Sequence, residues 1–257
     1  MRSIWKGSIG FGLVNIPIKL YSAVQDSSLG LDMLDSRDLS RIKYQRINEK
    51  TRKEVPYDKI VKGYPINESY VILEDKDYED ASPEKSKMIE IENFVNISEV
   101  NPMYYESSYY SEPETQGRKA YALLIKALQQ SKKAGLARFV LRTTENLSII
   151  HPVNNVIVVT KIRFAEEIRS SEEILSPTDV QIGKKEIDVG LALINQYTSK
   201  FEIDKYKDEY HHQLLKIIEA KAKGKRPTIK KLKPAKATGD DLYEQLMQSL
   251  NTVKKGA

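Results

Sequence analysis

The stretch GRKAYALLIKALQQSKKAGLARFVLR, residues 117–142, joins a helical pattern to a strand pattern. In its first half, apolar residues recur at spacings of three and four, which predicts one buried helical face. These residues are Ala120, Tyr121, Leu124, Ala127 and Leu128. After Gly135 the apolar residues alternate with Arg138 and its neighbours, as in a half-buried strand. The stretch therefore predicts a helix that leads directly into a strand of a sheet.

The same stretch holds seven basic residues and no acidic one. Its basic residues are Arg118, Lys119, Lys126, Lys132, Lys133, Arg138 and Arg142. An apolar face beside a purely basic face is typical of an element that packs against a core on one side and faces a polyanion on the other. The pattern also fits a solvated charge run that is balanced elsewhere in the fold. The stretch alone leaves both interpretations open.

Basic charge is concentrated rather than evenly spread. The 257 residues carry a net charge of only +5. Residues 41–62 contain eight basic and three acidic residues, and residues 221–236 contain eight basic residues and no acid. Residues 74–99 are strongly acidic, so we expect them on an outer surface. This distribution favours a nucleic-acid binder, although a membrane surface or an acidic partner would also fit.

The sequence shows no recognisable catalytic motif. The chain has no cysteine, which excludes disulfides, thiolate metal sites and cysteine nucleophiles. The histidines lack metal-ligand spacing, and neither a G-x-x-x-x-G-K-[ST] loop nor a G-x-S-x-G elbow occurs. We therefore expect a binding protein rather than an enzyme, with no cofactor and no metal. The absence of a signal-peptide pattern and of any run of ~20 apolar residues predicts a cytoplasmic protein.

Residues 1–168 mostly follow a β pattern. Residues 3–21 predict a strand pair or one long bent strand, because their apolar alternation changes phase. Further strands are predicted at residues 41–45, 70–73, 88–95 and 103–110, and a three-strand meander at 136–142, 147–150 and 156–164. In that meander we place a break at residues 151–152 and a turn at 154–155. Many short strands with one inserted helix indicate a barrel-like or sandwich-like body.

The pattern changes to helical near Arg169. Two apolar stripes follow, formed by Ile187, Leu191, Ile194, Tyr197 and Phe201, and by Tyr206, Tyr210, Leu214 and Ile217. After the basic run, Asp241 and Glu244 resemble a capping box that opens a short helix. An isolated helix of about ten residues is marginal in water. We therefore expect this helix to fold against a partner, with a frayed tail as the alternative.

Several separate stretches resemble one known family. They are RSIWKGSIGFGLVNIPIKLYSA (residues 2–23), VPYDKIVKGY (55–64), PEKSKMIEIENFV (83–95), NPMYYESSYY (101–110), KAYALLIKAL (119–128), ARFVLRTTENL (137–147) and KYKDEYHHQLLKIIEAK (205–221). Together they are similar to the bacterial Ku proteins, the homodimers that bind DNA double-strand breaks in non-homologous end joining. One departure is local, since residues 31–34 lack the histidine that many relatives carry there.

The resemblance implies a mixed, mainly β fold: a Ku-type β-barrel with an inserted helix, followed by a helical C-terminal arm. The implied divisions are a barrel with a DNA-encircling bridge (1–168), a helical arm with dimer contacts (169–222), a basic linker (223–239) and a short ligase-recruiting helix (240–257). Two copies would close a ring around double-stranded DNA ends, protect them and recruit an ATP-dependent DNA ligase. The implied location is cytoplasmic and associated with the nucleoid.

The resemblance also implies which residues make these contacts. The DNA-encircling bridge of the family corresponds to residues 41–62, here called the basic window. The main phosphate contacts are therefore expected from Arg41, Lys43, Arg46, Arg52, Lys53, Lys59 and Lys62. Lys132, Lys133 and Arg138 are expected as secondary contacts. The expected ligase contacts, in the stretch DLYEQLMQSL, are Asp241, Leu242, Leu246 and Leu250.

Two other classes of function stay open. A DNA-processing enzyme, such as a nuclease or lyase, would also need a basic surface, and pairs of carboxylates that meet only in the fold cannot be seen in a sequence. A barrel that binds single strands or RNA is suggested by the 15 tyrosines available for stacking on bases. Most of these tyrosines, however, are expected to serve the core or a dimer contact.

Overall fold

The computed structural model describes residues 1–81, 87–141, 144–172, 174, 180–225 and 242–253. The chain divides into two compact units, Met1–Ser171 and Glu172–Ala257. The strands are β1 (Trp5–Phe11), β2 (Val14–Ser22), β3 (Lys62–Ile66), β4 (Ser69–Leu73), β5 (Met88–Asn96), β6 (Tyr105–Pro113), β7 (Lys133–Leu141), β8 (Thr144–Val153) and β9 (Val156–Ile162). The helices are α1 (Asp75–Ala81), α2 (Arg118–Ser131), α3 (Lys184–Tyr197), α4 (Glu209–Ala222) and α5 (Leu242–Val253).

Seven of the described strands close into a barrel, in the order β1-β2-β6-β9-β8-β7-β5. Every neighbouring pair is antiparallel except β1 and β5, which are parallel and complete the closure. Closure removes the free strand edges that an open sheet would expose. The predicted fold, a mainly β barrel with an inserted helix and further helices after it, is confirmed.

The stretch that predicted a helix and a strand forms α2 and β7. Tyr121, Leu124 and Leu128 of α2 are buried in the same core cluster as Ile18 of β2 and Phe139 of β7. Full burial of side chains of this size is worth about 1.5–3 kcal/mol each, so α2 is held mainly by this face. The alternation after Gly135 is confirmed as strand, although β7 already begins at Lys133.

The close approach of α2 to the barrel requires a small residue at its start. Gly117 precedes α2 and is buried, and a Cβ at this position would lie 2.9 Å from Pro17 Cδ on β2. Tyr121, one turn into the helix, is then brought against the ends of β6 and β9. The sequence GRKAY thus sets where the helix enters the core.

The phase change near the N-terminus is a hairpin turn rather than a bulge. β1 and β2 pair from Trp5↔Leu20 to Phe11↔Val14, which leaves Gly12 and Leu13 as the turn. Gly12 has a φ of 58°, in the left-handed region that glycine adopts at little cost. Ile16 and Ile18 face the core, while Leu13 at the tip is fully exposed.

Two details of the predicted strands are wrong. β8 does not break at residues 151–152, because Pro152 lies beyond the last β8 residue that pairs with β7. With a neighbour on one side only, its missing N–H need not cost a ladder bond. Residues 41–45 are not a strand and show only an isolated bridge, Leu34↔Arg41. Their alternation has no buried face to stabilise it, since Ile42 and Tyr44 are both exposed.

Residues 23–81, here called the extended segment, have no core of their own. None of them is buried, and regular structure is confined to the β3–β4 hairpin, the short helix α1 and one 3-10 turn at Tyr57–Lys59. The hairpin reverses at Asn67, which has a φ of 52°. A segment with so little burial cannot owe its conformation to hydrophobic packing within this chain.

The second unit contains α3, α4 and α5, and α5 packs against α3. The predicted stripe Ile187, Leu191 and Ile194 is exposed, whereas five other residues of α3 are half-buried: Glu186, Val189, Gly190, Leu193 and Gln196. α3 ends at Tyr197 and α4 begins at Glu209, so Phe201 and Tyr206 lie outside the helices that they were predicted to join. None of the described helices is long and apolar enough to cross a membrane.

Candidate nucleic-acid interface

Seven predicted phosphate contacts lie on the extended segment, and all of them are exposed. They are Arg41, Lys43, Arg46, Arg52, Lys53, Lys59 and Lys62. Because this segment has no buried residue, these cations do not stabilise a core. Their partners within the segment decide how far each is available to an external anion.

Two cations of the extended segment lie over aromatic rings. Arg46 Cζ lies 5.3 Å from the ring centroid of Tyr57, and Lys62 Nζ lies 5.1 Å from that of Tyr78. A cation over a ring face is attracted by the ring's quadrupole, by about 0.5–1 kcal/mol at exposed sites. The ring restricts the side chain but leaves its charge unneutralised. Arg46 and Lys62 are therefore positioned and still able to bind a phosphate.

A tight turn presents a second group of cations. Asn48 N donates to Lys53 O and Arg52 N donates to Asn48 O, both at 2.8 Å. The Asn48 side chain also accepts from Lys50 N at 3.0 Å. Arg52 has a φ of 57°, the left-handed conformation that such a turn requires. The turn thus places Lys50, Arg52 and Lys53 together. Lys50 was not among the predicted contacts, although its position within residues 41–62 would have been enough to predict it.

The other three predicted contacts of the segment differ in their surroundings. Arg41 Nη2 lies 2.8 Å from Asp32 Oδ2, and Lys59 Nζ lies 3.8 Å from Asp58 Oδ2. All four side chains are well exposed, so these pairs contribute little to stability and can be exchanged for another anion. Lys43 has no hydrogen bond or ion pair with any residue that the structure describes.

Acidic residues near the start of the extended segment are occupied by local turns. Asp35 accepts from the side chain and backbone N–H of Arg37, which lowers the pKa of its carboxyl. Asp38 accepts from the hydroxyl and backbone N–H of Ser40, which lowers its pKa also. Both carboxylates stay charged at neutral pH. The segment is therefore acidic before Arg41 and basic from Arg41 to Lys62, and phosphate is expected at the basic part only.

The predicted secondary contacts belong to the barrel and do not form one group. Lys132 ends α2 with a φ of 55° and is exposed. Lys133 is half-buried and donates from Nζ to Asn96 Oδ1 at 2.6 Å. Arg138 lies between Glu92, at 2.9 Å, and Glu145, at 3.2 Å. Two carboxylates already neutralise Arg138, so binding a phosphate would require it to exchange partners.

The predicted ligase contacts lie on α5 or just before it. Leu246 and Leu250 are half-buried on the helix that packs against α3. Asp241 and the side chain of Leu242 fall outside the described residues. The apolar stripe is thus used within the second unit in this structure.

Groups that could carry metal chemistry are sparse in the described part of the chain. No cluster of three or more His, Cys, Asp or Glu side chains able to hold a metal is found there. His151 is half-buried on β8, and burial lowers the pKa of its imidazole. His211 and His212 are neighbours on α4, with ring centroids 6.3 Å apart.

The comparisons with known proteins agree with this architecture. Residues 10–189 match the profile of the Ku70/Ku80 beta-barrel domain. The chain belongs to the Ku family. The non-homologous end joining protein Ku of Coxiella burnetii is 37% identical over 99% of this chain and 96% of its own length. Those of Bacillus subtilis and Archaeoglobus fulgidus are 36% and 37% identical, each over 99% of this chain, and over 83% and 100% of their own lengths.

The Ku resemblance stated from the sequence is confirmed by these matches. They extend over nearly the full chain, so the similarity includes the extended segment and the helices as well as the barrel. The chain is a Ku protein of the non-homologous end joining type, with the closed barrel of that family.

Proposed function

We propose that this chain binds the ends of double-stranded DNA as a homodimeric ring, without reading sequence, and recruits an ATP-dependent DNA ligase to join them. The observation that carries the proposal is the extended segment, which has no buried residue and holds the basic residues 41–62. Its cations would contact the phosphates of DNA. A second copy of the chain would cover its exposed apolar side chains.

Exposed apolar side chains on the extended segment support the homodimer. Tyr44, Val61 and Tyr64 are each more than 60% exposed, as is Tyr70 on β4. Exposed apolar groups concentrated in one segment mark an interaction surface. A second copy would bury these groups on its own extended segment and so close the ring. The exposed stripe Ile187, Leu191 and Ile194 on α3 offers a further dimer contact within the helical arm.

Binding through phosphates explains how an end can be held regardless of sequence. Each phosphate that a lysine or arginine neutralises releases condensed counterions, which makes affinity high and steeply dependent on salt. Such contacts position a protein but carry no sequence information. A closed ring supplies the missing selectivity, because it can be threaded only where the duplex has a free end.

Ligase recruitment is assigned to α5 at the C-terminus. α5 carries an apolar stripe and has a length that usually needs a partner to be stable. In the sequence, three acidic residues occur at positions 240–244. A short amphipathic helix that docks in a groove is a common mode of recognition. The proposed contacts are Asp241, Leu242, Leu246 and Leu250.

Competition between DNA forms tests the proposed end binding. The protein is bound to a labelled blunt duplex, and unlabelled DNA of one sequence is added as linear molecules or covalently closed circles. Threading predicts that circles compete at least about tenfold less well at equal mass, because they offer the same phosphates but no end. A nicked circle is the matched control and should behave like the closed circle. Equal competition by linear and circular DNA would contradict the proposal.

A further inference from the structure

A groove of about 860 Å³ opens beside α2 where two barrel strands part. β6 and β9 pair as far as Tyr110↔Val158, and beyond this point β6 continues to pair with β2 only. The groove is lined by this end of β6, by Tyr21 of β2, by α2 and by the β8–β9 turn. The proposed ring does not use this groove. One of its walls is α2, which lies in residues 117–142, the stretch whose basic residues suggested a surface that binds a polyanion.

The gap between β6 and β9 is filled by a buried hydrogen-bond network. Ile157 N donates to the hydroxyl of Tyr121, which donates to Ser111 O, both at 2.8 Å. Ser111 Oγ donates to Ile157 O at 2.8 Å. Burial raises the pKa of the Tyr121 hydroxyl, which therefore stays a neutral donor. Hydrogen bonds from side chains thus replace the missing ladder bonds between β6 and β9 beneath the groove.

The surface of the groove is mainly apolar. Ala122 and Ile125 of α2 line one side, and Val153 and Val156, which flank the β8–β9 turn, line the other. Gln129 Nε2 donates to Asn154 O at 3.1 Å and ties this turn to α2. A preformed apolar groove of this volume suits a few side chains of a ligand.

Two cations on α2 flank this apolar surface without local partners. Arg118 and Lys126 are exposed, two helical turns apart, and neither has an ion pair or hydrogen bond with any described residue. Two other cations of the barrel are engaged: Arg138 binds two carboxylates, and Lys161 binds Glu106 at 3.1 Å. The carboxylate at the groove, Glu112, accepts from the Tyr21 hydroxyl at 2.5 Å and lies opposite Lys19 on β2. The charged side chains that line the groove are Arg118, Lys126 and Glu112, so its net charge is positive.

We infer that this groove is a docking site for a short peptide segment of a partner protein, with apolar side chains flanked by carboxylates. The apolar side chains would fill the space between α2 and the β8–β9 turn, and the carboxylates would pair with Arg118 and Lys126. Duplex DNA fits less well, because phosphates could reach the two cations but would leave the apolar surface uncovered. An acidic, amphipathic peptide satisfies both the positive charge and the apolar surface of the groove.

The test selects peptides against the full-length protein. A phage-displayed library of random twelve-residue peptides is panned on immobilised protein, with counter-selection on Ala122→Arg. This substitution fills the groove from an exposed helical position and keeps a good helix former. We expect the selected peptides to be rich in Asp or Glu and in large apolar residues. Their affinity should fall at least tenfold with Ala122→Arg and severalfold with Lys126→Glu.

Controls separate the groove from general charge and from the proposed ring. Lys119→Glu changes an exposed lysine of α2 outside the groove and should leave peptide affinity within twofold. DNA-end binding by Ala122→Arg should be unchanged, so the groove and the ring are tested independently. Selection of no groove-dependent peptide, or equal losses with Lys119→Glu and Lys126→Glu, would overturn the inference.

A labelling measurement decides between peptide and DNA. Because the native chain has no cysteine, Ala122→Cys provides a single reactive thiol in the groove. A selected peptide should slow its reaction with a maleimide at least tenfold, and a blunt duplex should not. Protection by the duplex in place of the peptide would assign the groove to DNA and overturn the inference.

Discussion

Removing four cations from the extended segment is expected to weaken binding to a blunt duplex by at least about 100-fold at 150 mM salt. The variant replaces with glutamine Arg46, Arg52, Lys53 and Lys62. Arg46 and Lys62 are held over aromatic rings with their charges free, and the other two are presented by the Asn48 turn. None of these four forms an ion pair with a residue that the structure describes.

The salt dependence of this variant gives the physical reason for the loss. For each lost contact, the slope of log affinity against log salt should become less steep by about one, equally for all DNA sequences. The side chains are exposed, and Arg46 and Lys62 lose a ring contact, so the free energy of unfolding should change by no more than about 1 kcal/mol for each substitution. Titrations at several salt concentrations, with thermal unfolding as a check, measure both quantities.

A matched control removes the same charge from the second unit. It replaces with glutamine four exposed lysines, namely Lys184, Lys185, Lys207 and Lys216. If binding depends on the extended segment, this variant should lose far less affinity than the first. An equal loss in the two variants would mean that net charge, and not the extended segment, determines binding.

Deletion of residues 241–253 is expected to abolish ligase stimulation and to leave DNA-end affinity within about twofold. The deletion removes α5 and all the proposed ligase contacts, whereas the cations of the extended segment lie in the other unit. The measurement is the rate of end joining by the cognate ATP-dependent ligase, with and without the truncated protein. Unchanged ligation with the truncated protein would refute the proposed role of α5.

Point substitutions on α5 refine this result. Leu246→Asp places a charge in the half-buried stripe and should reduce stimulation nearly as much as the deletion does. Ser249→Ala, at an exposed position of the same helix, should have little effect. Leu246 also lies on the helix that packs against α3, so thermal unfolding must be measured in parallel. A loss of stability without a loss of stimulation would make Leu246 a packing residue only.

Periodicity predicted the elements that bury one face. In residues 117–142 the spacing of Tyr121, Leu124 and Leu128 predicted α2, because these side chains enter the core of the barrel. The alternation around Phe139 predicted β7 for the same reason. Where the apolar alternation faces no core, as at Ile42 and Tyr44, the prediction of a strand was wrong.

Features that depend on neighbours far along the chain could not be predicted. The continuation of β8 through Pro152 depends on where β7 stops, and a sequence does not show that register. The neutralisation of Arg138 depends on Glu92 and Glu145, which reach it across two different strands. The half-buried positions of α3, which include Val189 and Leu193, differ from the apolar stripe that spacing favoured.

The sequence located the candidate site within residues 41–62, but it did not show how these side chains are arranged on the surface. The charge of residues 41–62 was visible in the sequence, and the family resemblance gave it a role. The complete lack of burial in the extended segment, and the stacking of Arg46 and Lys62 on tyrosines, depend on the fold. The groove beside α2 was also hidden, because it forms where β6 and β9 part.

Topological trapping tests the ring most directly. The protein is bound to a linear plasmid, the ends are joined by a ligase, and the circle is washed in 1 M salt, which weakens phosphate contacts. A threaded ring predicts that protein stays on the closed circle and is released when a restriction enzyme reopens it. Protein that leaves the circle at the same rate as the linear DNA would contradict the ring.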